Sequence, residues 1–117
     1  MTRRGDIPRD WPLLQALQAA RAVLDGKLDV IEGSRKLAGY ANDIVPDWAA
    51  DSDFVVFGAI ASETDDLPIG EARRYWSAAA LAEGDATLER YASAVAGDVR
   101  AACASVIARF SDSTTNP

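Results

Sequence analysis

From Asp85 onward, apolar residues return every three or four positions: Leu88, Tyr91, Ala92, Val95, Val99, Ala102, Cys103, Val106, Ile107 and Phe110. Only the 3.6-residue turn of an α-helix stacks that interval on one face. Arg90, Asp98, Arg100 and Arg109 fall mostly outside the stripe. A helix of roughly 25 residues is about 37 Å long, which is enough to be the spine of a 117-residue chain.

The remaining segments supply helices to pack on it. Leu13, Leu14, Leu17, Ala20, Val23 and Leu24 form a second stripe between Asp10 and Gly26, with Asp10 as a plausible N-cap and Pro12 in the first turn. Asp29 to Ala41 reads as a third helix, with Asp29 and Glu32 spaced as in a capping box and Gly33 either marking a close helix crossing or simply tolerated. The short link between these two predicts an antiparallel hairpin. Asn42 to Ser52 reads as a loop. The apolar run Asp53 to Ala61 has the composition of a strand, but nothing else in the chain offers a strand partner. It is therefore expected to be a buried helix capped by Ser52 or Asp53 and ending near Glu63. Ser77 can cap a further helix through Leu81 that breaks or bends near Gly84. The expected fold is all-α: a compact single-domain bundle of about four or five helices over 1–117, with a long C-terminal helix and frayed ends near 1–8 and 111–117.

Charge is unevenly placed along this framework. The net charge is −6, the wrong sign for a phosphate-contacting nucleic-acid binder or for an anionic membrane surface. Eight acids lie between Asn42 and Glu71 (Asp43, Asp47, Asp51, Asp53, Glu63, Asp65, Asp66 and Glu71), and that stretch holds no lysine or arginine. The other ten acids face twelve bases, so the rest of the chain is at +2. No apolar run approaches the ~20 residues of a membrane span, and no signal-peptide core follows Arg3 and Arg4. The expected setting is cytoplasmic.

Histidine is absent, which removes Ser-His-Asp and Cys-His catalysis, His-ligated zinc and the usual base poised near neutral pH. Cys103 sits in the apolar stripe and reads as a small buried hydrophobe. The glycines are dispersed and match no phosphate-binding fingerprint. No cofactor or metal is expected. Glu63, Asp65 and Asp66 stand close enough in sequence for three readings: a solvated charge run, a partner-binding patch, or a divalent-cation or acid–base site. Arg73 and Arg74 follow at once and could pair with those acids. Trp48, among acids and off any apolar stripe, has the character of an interface anchor.

Several stretches resemble a group of small bacterial proteins. They are Leu24 to Leu37, Asp53 to Phe57 and Ser62 to Gly70 (Ser-Glu-Thr-Asp-Asp-Leu-Pro-Ile-Gly), together with Arg74-x-Trp76, Ala80-Leu81 and Ala102-Cys103. The likeness covers roughly residues 20–110. Such small acidic cytoplasmic proteins are similar to immunity proteins encoded beside polymorphic toxins. The resemblance implies a non-enzymatic protein, monomeric or weakly dimeric, that occludes a basic site on a cognate toxin. The partner-binding residues would be Trp48, Asp51, Asp53, Glu63, Asp65 and Asp66. The alternative is a ligand-binding or enzymatic helical domain in which Glu63, Asp65 and Arg73 line a pocket. A helical homodimer built on the last helix is a third option.

Overall fold

A computed structural model describes residues 10–67 and 70–115. It contains four α-helices and, among the described residues, no strand. The expected stretch of frayed chain at 1–8 lies outside the described residues.

Helix α1 (Trp11–Leu24) carries Pro12 in its first turn, where a missing N–H leaves nothing unsatisfied. Asp10 precedes it but makes no side-chain cap bond, contrary to expectation; only its carbonyl is used, accepting from the Leu14 amide at 2.9 Å. The helix stops at Gly26, whose φ of +75° suits a residue without a Cβ. There the Gly26 amide donates to the Val23 carbonyl at 3.1 Å and the Lys27 amide to that of Ala22 at 2.9 Å, the paired closure of a Schellman motif.

Helix α2 (Val30–Ile44) starts as its sequence predicts. The Asp29 carboxylate accepts from the Ile31 and Glu32 amides at 2.9 and 3.1 Å. It runs three residues past Ala41, because Leu37, Ala41 and Ile44 continue the apolar stripe and only Pro46 forbids helix at Val45. Trp11 at the start of α1 meets Tyr40 near the end of α2, edge-on at 6.1 Å, so the pair is antiparallel. Gly33 marks a close crossing: a Cβ there would overlap the Val23 side chain on α1.

A 3-10 turn over Trp48–Ala50 leads into α3 (Phe54–Glu63). The apolar run is helical, and its cap is neither Ser52 nor a side-chain bond from Asp53. The cap is the Asp51 carboxylate, which accepts from the amides of Asp53 and Phe54 at 3.0 and 3.1 Å. After a second 3-10 segment, Gly70–Tyr75, Ser77 accepts from the Ala80 amide at 3.1 Å and opens α4 (Ala78–Thr115).

At 38 residues, α4 is longer than its sequence suggests. It does not break at Gly84, which is buried and shares a small cleft with Leu67 and Trp76. The chain before α4 folds back over this glycine, so the weak helix former is shielded from water rather than exposed at a kink. Helix also continues past Ser111 to Thr115, where the polar run suggests fraying.

Contacts place α4 antiparallel to α3: Tyr91 lies beside Glu63 at the end of α3, and Ser105 beside Asp53 at its start. Arg100 meets the last carbonyls of α1. The bundle is thus built on the second half of α4, and Ala78–Arg90 projects beyond it. The fully buried side chains Leu17, Val23, Leu37, Phe54, Phe57, Val99, Cys103 and Val106 concentrate in the bundled part. Phe54 lies 5.8 Å from Phe57 and 6.5 Å from Phe110 by ring centroid. Each such ring contributes roughly 1.5–3 kcal/mol by leaving water.

Two glycines of α2 give opposite expectations for one chemical change. Gly33→Ala drives a methyl into Val23, a stiff and fully buried side chain, and should destabilise by about 1–3 kcal/mol. Gly39→Ala meets nothing within 4 Å and should stabilise by about 0.5–1 kcal/mol through helix propensity. Urea denaturation followed by circular dichroism measures both.

Candidate functional site

The acid-rich segment 42–71 wraps α3, and the fold treats its carboxylates unequally. Asp51 and Asp53 turn inward, with side chains only 10% and 11% exposed. Arg109, from the last part of α4, reaches both. Its two terminal nitrogens donate to the two oxygens of Asp51 at 3.0 and 2.8 Å, and one of them also donates to Asp53 at 2.8 Å. Ser105 adds a hydroxyl to the same Asp53 oxygen at 2.7 Å. Bonding to Arg109, opposed by burial and helped by the Phe54 and Asp53 amides, brings the Asp51 carboxyl down to about 2. Arg109 is held above the ordinary guanidinium range, first by Asp51 and then by Asp53. These two acids close the fold and present little charge to a partner.

Trp48 is half-buried and lies over Gly58 of α3 so closely that a Cβ at 58 would overlap its ring. Much of this ring is therefore committed to holding the 3-10 turn on α3. The remaining acids face outward. Asp43, Asp47 and Asp66 are exposed and form no ion pair among the described residues. Glu63 accepts a short hydrogen bond from the Tyr91 hydroxyl, whose pKa burial and then the Glu63 carboxylate push up to about 12. Asp65 is 76% exposed and stands 3.6 Å from Arg35. Along α3 itself, Val55, Ala59 and Ser62 are exposed.

The three residues of the alternative pocket take three separate partners. Glu63 bonds Tyr91, Asp65 approaches Arg35, and Arg73 forks onto Asp85. That last pair raises the Arg73 pKa and lowers that of Asp85. Arg35 mainly serves α3, donating to the Ala61 carbonyl at 3.0 Å and to buried Thr64 at 3.2 Å. Burial pushes the Cys103 thiol up to about 11, with Arg100 opposing, which leaves it protonated and unreactive at neutral pH. Among the described residues, no group of three His, Cys, Asp or Glu side chains could hold a metal ion. No described helix is long and apolar enough to cross a membrane.

Sequence reasoning missed Arg109 as the partner of Asp51 and Asp53, which lie more than fifty residues away. The only local signal was a base at the margin of an apolar stripe. Comparison of the chain with protein-family models, with curated proteins and with solved structures finds no match.

The Asp51 carboxyl titrates lower in the fold than its ordinary value of 3.8. Its contribution is therefore complete above about pH 4 and is lost as pH falls toward 2, a loss of about 2 kcal/mol. Arg109→Gln should remove about 2–3 kcal/mol at pH 7, less than for a fully buried pair because Arg109 is 38% exposed. It should also flatten the decline between pH 4 and 2. Denaturation curves for both proteins at pH 7, 4 and 2.5 provide the comparison.

Proposed function

We propose that this chain is a non-enzymatic, cytoplasmic binding protein that neutralises a bacterial toxin by laying an acidic surface over a basic site, as immunity proteins do. The observation that carries the reading is the set of acids left exposed at the surface. Segment 42–71 has eight carboxylates and no base, and among its described residues the structure turns only Asp51 and Asp53 inward. Asp43, Asp47, Glu63, Asp65 and Asp66 remain exposed, Glu63 as the last residue of α3 and the others on the segments that lead into and out of it. Val55, which is 39% exposed, and Ala59 add a small apolar surface on α3 itself, and apolar surface flanked by charge is the anatomy of a protein interface.

The physics suits a toxin inhibitor. Acids around a docking face steer a basic partner and raise the association rate, and water-excluding contacts then slow dissociation. No step in this task needs a nucleophile or a base. The binding role passes from Asp51 and Asp53, which stabilise the fold, to the outward acids. Trp48 contributes through its unburied edge.

The test reads the genes beside the one that encodes this chain and takes any toxin-like domain found there as the binding partner; a neighbourhood without one overturns the reading. Co-purification should fall as sodium chloride is raised from 50 to 300 mM, roughly the range over which surface charges become screened. The triple variant Asp47→Lys, Asp65→Lys and Asp66→Lys should bind at least about tenfold more weakly with unchanged helicity. Unchanged affinity, or no binding by the neighbour-encoded domain, overturns the reading.

A further inference from the structure

The chain has two lysines, Lys27 and Lys36, against ten arginines. Each arginine with a described side chain bonds within the fold, from Arg21 on Ser111 to Arg109 on Asp51. The lysines do not. Both line a single groove of about 290 Å³ between α1 and α2, and neither makes an ion pair or side-chain hydrogen bond among the described residues.

The groove gathers its polar groups from fixed backbone. Gln15 and Gln18 come from one face of α1, while Lys36 and Tyr40 stand one turn apart on α2. Lys27 follows the left-handed Gly26, and its own amide is bonded to the Ala22 carbonyl at 2.9 Å, so its place at the groove mouth is set by the helix-ending turn. Trp11 packs edge-on against Tyr40.

Acids are near but do not cancel the lysines. Asp29 is engaged in capping α2, and Asp25 and Glu32 are exposed without an ion pair among the described residues. Residues 10–41 carry four acids and four bases, so this region is neutral while 42–71 is strongly negative. Lysine binds phosphate as a point charge, and two ammonium groups match the double charge of a phosphate monoester. A volume near 290 Å³ matches the small end of ligand sites.

We propose that the α1–α2 groove binds a small phosphate monoester, its dianion held by Lys27 and Lys36 and its body against Tyr40 and the Gln15 and Gln18 amides. The test is a titration of the full chain with phenyl phosphate, followed by ¹⁵N NMR at pH 8, where a monoester is doubly charged. Sodium chloride holds the ionic strength constant. Saturating shifts should centre on the side-chain amides of Gln15 and Gln18 and on the backbone around Lys27 and Lys36. The double variant Lys27→Gln and Lys36→Gln alters only exposed side chains and should raise the dissociation constant at least about tenfold, with helicity unchanged. Shifts that fail to saturate, centre on α4, or persist in the double variant overturn the proposal.

Discussion

One guanidinium fixes the geometry at the base of this bundle. Arg109 arrives from the end of the longest helix and holds two carboxylates at the start of α3, one of which caps that helix. Asp53 could not be 8% exposed without it, since an unpaired buried charge is strongly destabilising. The neighbouring residues repeat the contact in apolar form: Phe54, next to Asp53, packs on Phe110, next to Arg109. Arg109 also stands 4.8 Å over the Phe110 ring. Polar and apolar contacts one residue apart therefore set the same register of α4 on α3.

Two other arginines follow a related logic. Arg35 donates to a carbonyl in the last turn of α3, and Arg100 donates to the last carbonyls of α1. Carbonyls at a helix end lack intrahelical partners and carry the negative end of the helix dipole, so a cation there satisfies both needs. The effect on the surface is indirect. Arg35 also stands 3.6 Å from Asp65, while Arg100 is drawn to α1, so Asp43, Asp47 and Asp66 are left without a base among the described residues.

Legibility differed with the range of the determining contact. Asp29 as the cap of α2 and Ser77 as the cap of α4 were readable, because a cap bond spans two or three residues. The cap of α3 was expected at Ser52 or Asp53, one or two residues too late, since three capable side chains (Asp51, Ser52 and Asp53) stand in a row and Arg109 bonds the first. The persistence of α4 through Gly84 was not readable. It depends on Leu67 and Trp76 folding back over that turn. Within the acid-rich segment, the sequence exposes the excess of charge but not which carboxylates turn inward.

The sequence by itself determined the class of fold. Apolar spacing at 3.6 residues, the absence of any partner for a strand, and the stop at Gly26 are local properties that each segment carries alone. It also determined that the negative charge lies in one quarter of the chain. Tertiary structure alone decided how that charge is used, because burial and pairing depend on side chains that meet only after the helices pack. Asp51 and Asp53 became structural through Arg109, Trp48 was pressed onto Gly58, and Lys27 and Lys36 came to share one groove.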